Sequence, residues 1–178
     1  MSGAENIVGG SGTNTYAFED GATLAGTISG GSNVLDYSAS TSAIAVDLST
    51  DSASFTGGVS NIVSVVGGSA ADTLTGPAAD AGWTIASANS GVVNGVSFSG
   101  FENLVGNSGA DAFTFVDGAS VAGAVTGGAG ADTLDQSAST ANVVVDLSSG
   151  TATGTGGITG IENVVTGAGN DTIIGCLL

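Results

Sequence analysis

Six segments of the chain place glycines beside an acidic or amide side chain. They are GGSGTNTYA from Gly9, GGSNVLDYS from Gly30, GGSAADTLT from Gly67, GNSGADAFT from Gly106, GGAGADTLD from Gly127 and TGAGNDTII from Thr166. The chemistry open to such a segment is coordination of a hard cation. Ca2+ takes about six to eight oxygens. Glycine accepts the positive φ of a tight turn, so several backbone carbonyls can face one point. An Asp adds the formal charge, and two adjacent turns complete a shell. Two pairs of segments lie close enough in the chain for this, those at 9 and 30 and those at 106 and 127. The first pair carries Asn14 and Asn33, the second Asp111 and Asp132. Asp111 and Asp132 are therefore the leading side-chain ligands, with Gly109 and Gly130 in their turns. Asn14 marks a weaker site. Asp72 and Asp171 carry the motif without an Asp-bearing neighbour at the same corner, and Asp51 is the acid that could assist Asp72. The same residues also make plain turns, because Asp and Asn bond nearby backbone and tolerate left-handed conformations.

Composition limits every other chemistry. Lys, Arg and His are absent from the 178 residues, and 16 Asp and Glu give a formal net charge of −16. No side-chain cation is present to neutralise nucleic-acid phosphates. No Lys can form a Schiff base, and no His can serve as a base near neutral pH or as a zinc ligand. Acid–base chemistry would fall to carboxylates alone, so the expectation is a protein that is not an enzyme. Asp47 and Asp146 recur in V-D-L-S, and Asp36 and Asp135 in L-D-(Y/Q)-S-A-S. Nothing in their spacing makes a catalytic pair converge, and they read as turn carboxylates. Glu5, Glu102 and Glu162 each precede N-(I/L/V)-V and read as hydrogen-bond partners at the corners. No apolar run approaches the roughly 20 residues of a membrane helix. Sixteen carboxylates without a counter-charge repel one another, and bound cations would relieve that.

The elements that position these corners come from a repeat. Residues 5–76 match 102–175 with an offset of 97 to 99, and 77–101 have no second copy. Inside the long repeat the glycine corners recur at 21, 37, 39, 21 and 39 residues, near multiples of about 19. The spacing predicts an all-β chain, a single parallel β-solenoid over 1–178. It has about nine coils of roughly 19–21 residues, with two or three short strands each. Recurrent Gly and β-branched residues disfavour helix throughout. One apolar ladder is expected through Tyr16, Leu35, Leu74, Phe113, Leu134 and Ile173. A second runs through Val46, Val65, Ile85, Leu104, Val125, Val145 and Val164. Trp83 is expected in the core, or as a cap over the insertion at Pro77. Cys176, Leu177 and Leu178 read as part of a last strand or as an inter-subunit contact.

GGAGADTLD (127–135) fits the nonapeptide G-G-x-G-x-D-x-U-x, with Gly127, Gly128, Gly130, Asp132 and Leu134 in register. GNSGADAFT and TGAGNDTII fit with one substitution each. In this the chain resembles the repeats-in-toxin, or hemolysin-type, calcium-binding proteins. That resemblance implies Ca2+ held between successive turns of a parallel β-roll by backbone carbonyls and the Asp. Repeats of that family follow every nine residues, whereas these corners lie farther apart. The phrases GFENLVG, ADTLTG and DLSSGTATGTGGITGIENV also resemble the long tandem repeats of large bacterial adhesin-like surface proteins. That implies an extracellular or cell-surface location in bacteria and a structural or adhesive module with Ca2+ as its ligand. The alternative is a subunit that assembles head to tail through open coil ends into a fibre or surface layer, without calcium. An ice-binding face would need a Thr-x-Thr column, and TATGT (151–155) stands nearly alone.

Overall fold

The structure, a computed structural model, describes residues 5–175. Cys176, Leu177 and Leu178 lie outside the described residues. Twenty strands follow one another. The first eight are β1 (Ile7–Val8), β2 (Thr13–Ala17), β3 (Ile28–Ser29), β4 (Ser32–Asp36), β5 (Ala45–Asp47), β6 (Ser52–Ala53), β7 (Ile62–Val66) and β8 (Thr73–Thr75). Then come β9 (Gly82–Ser87), β10 (Ser90–Val93) and β11 (Val96–Ser99). The rest are β12 (Asn103–Ser108), β13 (Ala112–Phe115), β14 (Val121–Ala129), β15 (Thr133–Gln136), β16 (Val144–Asp146), β17 (Thr151–Ala152), β18 (Thr155–Thr159), β19 (Asn163–Thr166) and β20 (Thr172–Ile174). Among the described residues there is no helix, and none long and apolar enough to cross a membrane.

The sheets are mixed. A nine-stranded sheet runs β19-β15-β13-β9-β10-β11-β7-β4-β2. Its outer parts are parallel, and β9, β10 and β11 form an antiparallel meander between them. A six-stranded sheet runs β18-β14-β12-β8-β5-β6, parallel except at the β5–β6 hairpin. Sheet β17-β16-β20 has the same hairpin at β16–β17, and β1 pairs with β3 in parallel. An entirely parallel stack is therefore corrected. The antiparallel arms lie where the chain makes tight excursions, at Thr50–Asp51, Asn89, Asn94–Gly95 and Gly150. Asp51, Asn89, Asn94, Gly95 and Gly150 have positive φ, which Gly, Asn and Asp accept most readily.

The same arms alter the period. Phe113 faces Leu134, 21 residues on, but Leu35 faces Val65, 30 residues on. The short step joins two walls directly. The long step includes a hairpin arm. A glycine corner is thus not met once per circuit, and the two expected ladders divide. Tyr16 faces Leu35, then Val65 and Phe98. Leu74 instead lies between Val46 and Leu104, in a column that continues to Val125 and Ile158. Trp83, Phe113, Leu134 and Val164 form a third column, and Val145 faces Ile173. Most of these side chains are fully buried. Strand alternation explains which: in β4 Asn33 and Leu35 point inward while Val34 and Asp36 do not. Each buried Leu, Val or Phe contributes about 1.5–3 kcal/mol over an exposed one.

The long repeat is visible in the pairing. β12 to β17, then β19 and β20, reproduce β1 to β6, then β7 and β8, and β18 answers the bridge that Val59 makes with Ile28. The meander β9–β11 is the unduplicated stretch, and it links the two copies within one sheet. The copies also join directly, since β8 of the first lies parallel to β12 of the second.

Candidate cation site at the glycine corners

Asp111 and Asp132 stand one circuit apart, just before β13 and β15, whose residues are paired in register. Both are buried. The Asp111 N–H donates to Asp132 Oδ1 at 2.8 Å, and the Ala81 N–H donates to Asp111 Oδ1 at 2.8 Å. One oxygen of each carboxylate therefore ties its circuit to the adjacent one. The other oxygen, Oδ2, is buried on both residues without a hydrogen-bond partner. Leaving such an oxygen unpaired costs about 1–3 kcal/mol or more when it is charged. Each Oδ2 packs over a glycine, Gly106 for Asp111 and Gly127 for Asp132, and a Cβ at either position would collide with it. The Gly127 carbonyl crowds the same point as Asp111 Oδ2. Gly130 stacks on Gly109 so closely that a Cβ on Gly130 would overlap the Gly109 carbonyl. Gly109 and Gly130 have φ of 100° and 140°, the conformations that admit this approach.

The other corners differ. Both Asp72 oxygens are used: Oδ1 accepts from the Ile44 N–H at 2.7 Å and Oδ2 from the Gly68 N–H at 2.6 Å. Asp171 Oδ1 accepts from the Val143 N–H at 2.9 Å, in the same pattern. Asp51 does not assist Asp72; it turns the β5–β6 hairpin, and its carbonyl accepts from the Val59 N–H. Asn14 bonds its own loop, through Oδ1 from the Gly10 N–H and Nδ2 to the Gly10 and Gly12 carbonyls. Buried Asn33 donates to the Ser60 carbonyl at 2.7 Å. The amides of the first copy thus satisfy themselves where the carboxylates of the second leave oxygens over.

Glu102 Oε2 accepts from the Asp72 N–H, and Glu162 Oε2 from the Asp132 N–H, both at 2.9 Å. Asp36, Asp47, Asp135 and Asp146 accept from amides two residues on, as turn carboxylates do. Sequence reasoning missed Asp80. Its carboxylate takes the Ala110 N–H at 2.8 Å and lies against Gly109, adding negative charge beside Asp111. Its only signal was an acid within the unduplicated PAADAG, outside any motif. Among the described residues no three His, Cys, Asp or Glu side chains converge as a metal cluster. What the corner offers is one spare carboxylate oxygen on each of Asp111 and Asp132, each beside a glycine of its own turn. Oxygen donors of this kind are the type that hard cations take.

Burial raises the pKa of Asp111 above its ordinary 3.8, the Ala81 amide opposes this, and Asp132 and Asp80 add to the rise. Burial likewise raises Asp72, against the amides of Ile44 and Gly68. Hydrogen bonds from Thr41 lower Asp20, and those from Thr140 lower Asp117. Raised groups favour the native state when protonated, so their contribution is full below 3.8 and is lost as pH rises through their native values. Lowered groups contribute above 3.8 and fail as pH falls through theirs. Relief of the −16 charge acts in the same direction as the raised groups. In metal-free buffer the thermal midpoint is expected to rise as pH falls toward about 4 and to drop again below it, where Asp20 and Asp117 lose their hydrogen-bonded charge. Calorimetry across that range checks it.

No family model, curated protein or solved structure matches the chain. The class that the fold defines is an all-β protein of mixed sheets.

Proposed function

We propose that the chain is a rigid acidic β-solenoid module of an extracellular bacterial surface protein, structural or adhesive, held by Ca2+ at the Asp111–Asp132 corner. The observation that carries this reading is the join between the copies. β8 and β12 pair in the same parallel manner as the strands within each copy, with Leu74 and Leu104 both buried. A unit that continues its own stack suits a spacer of variable length. Asp111 and Asp132 would hold the ion through Oδ2, with the Gly127 carbonyl, which lies near Asp111 Oδ2, as the first backbone ligand. Bound Ca2+ supplies positive charge to a corner that otherwise has none. A site with only two carboxylates suits the millimolar calcium outside cells.

Thermal unfolding in millimolar Ca2+, in Na+ of equal ionic strength and in chelator tests this. A ligand at 100 times its Kd stabilises by about 2.7 kcal/mol. The expected result is a rise specific to Ca2+ that disappears in the Asp111→Asn/Asp132→Asn double variant. Equal midpoints in Ca2+ and Na+ would remove calcium from the proposal.

A second reading, head-to-tail assembly without calcium, is favoured by the edges of β1 and β20. Among the described residues β1 pairs only with β3, and β20 only with β16. These are the edges that β12 and β8 use to join the copies.

A further inference from the structure

The two copies differ in one place where the first is filled and the second is hollow. In the first, Tyr37 is fully buried, stacks on Phe18 with ring centroids 4.6 Å apart, and meets Phe55 edge-on at 6.4 Å. Its hydroxyl donates to the Ser54 carbonyl at 2.9 Å. In the second copy the corresponding residues are Phe115 for Phe18, Gln136 for Tyr37, Thr153 for Ser54 and Gly154 for Phe55. The frame around them is preserved. Gln136 Nε2 donates to the Thr153 carbonyl at 2.6 Å, as Tyr37 does to Ser54. The Val121 N–H bonds the Gly154 carbonyl as the Leu24 N–H bonds that of Phe55, and Thr140 bonds Asp117 as Thr41 bonds Asp20. Two rings are gone from an unchanged frame. A pocket of about 260 Å³ remains, lined by Phe115, Ala119, Gln136, Val143, Thr153 and Gly154 among others.

One polar group in that wall is unfulfilled. Gln136 is 5% exposed, and its Oε1 is buried without a donor. Most of the accessible surface of this wall is apolar, so a ring seated there gains by leaving water. An apolar cavity of about 150 Å³ holds benzene, so this one admits a single substituted ring. The aromatic residues of the first copy show what shape and polarity the frame accepts.

We infer that the pocket binds a neutral monocyclic phenol. The ring occupies space that Tyr37 and Phe55 fill in the first copy, against Phe115 and Val143. The hydroxyl donates to Gln136 Oε1, which a turn of the side chain brings to the pocket surface. Asp117 at the rim and the chain's net charge repel anionic aromatics. This goes beyond the structural reading and does not depend on calcium.

The test titrates the 15N-labelled chain with p-cresol, toluene and 4-hydroxybenzoate by NMR. With p-cresol, saturable shifts are expected at the Gln136 side-chain amide and the Ala119 and Gly154 backbone amides. Toluene and 4-hydroxybenzoate should each bind at least tenfold more weakly. The Gln136→Tyr/Gly154→Phe variant should lose the response while keeping its thermal midpoint. Gly154 has φ 79°, and Phe55 already adopts φ 65° at the matching site. Should that variant misfold, Gln136→Leu decides the point by abolishing the preference for p-cresol over toluene. Absence of saturable shifts, or shifts that persist in the filled variant, would overturn the inference.

Discussion

Replacing Trp83 with Ala is expected to cost about 3–5 kcal/mol, the range for truncating a buried Trp. Trp83 is 1% exposed. It stacks on Phe113 at 5.3 Å and meets Phe98 edge-on at 5.9 Å. Phe113 belongs to the second copy, while Phe98 lies on β11, which pairs with β7 of the first. The indole therefore fastens the meander to both copies, and its loss opens a cavity where they join. Trp83→Phe should cost much less. It keeps most of the packing and deletes the indole Nε1, which is buried without an acceptor. Urea denaturation of both variants checks this. Equal losses would mean that the indole nitrogen, not the ring packing, matters.

Chains carrying Val8→Pro and chains carrying Ile173→Lys are expected to be monomeric alone and to form dimers, and nothing longer, when mixed. The internal join supplies the geometry. There Asn103, Leu104 and Val105 face Thr73, Leu74 and Thr75. The Asp72 N–H meets Glu102, and the Asn103 N–H meets the Asp72 carbonyl. The repeat maps these onto Asn6, Ile7 and Val8 of one chain against Thr172, Ile173 and Ile174 of another, with Glu5 receiving the Asp171 N–H. Both edges are already set. Asn6 Oδ1 takes the Thr27 N–H as Asn103 takes that of Ala124, and Asp171 takes Val143 as Asp72 takes Ile44. Ile7 is 38% and Ile173 51% exposed, against 0% for their counterparts Leu104 and Leu74. The Ile7 and Gly9 amides donate to the Thr27 and Ser29 carbonyls, so the Val8 N–H faces the other side of β1. Proline there removes a donor needed only between chains. Lysine at 173 puts a charge into the facing apolar pair, a common guard against edge pairing. The unaltered chain should lengthen with concentration. Sedimentation velocity checks all three samples. A monomeric unaltered chain at every concentration would end this reading.

Much of the architecture was legible. Absence of helix followed from glycine frequency and β-branching, because neither leaves a stretch in which helical turns nucleate. The long repeat followed from matching 5–76 to 102–175, and the structure pairs both copies alike. The pairing of Tyr16 with Leu35 and of Phe113 with Leu134 was readable because those circuits are short and hold no arm. Leu74 was misplaced because its corner looks the same in sequence but falls on another wall. The hairpins at β5–β6 and β16–β17 lie between one wall and the next, and no motif announces them.

The sequence by itself determined the strand content, the charge, the duplication and the positions of the glycine corners, since composition and spacing are local properties. Tertiary structure alone decided which corners meet. Antiparallel arms set the path length between walls, and that length decides which carboxylate faces which amide. It gave Asp72 two amide donors and left Asp111 and Asp132 each with an oxygen to spare. It brought Asp80 beside Asp111 from a stretch that has no copy. It also made Gln136 the wall of a pocket, because only the packed frame reveals that a ring is missing there.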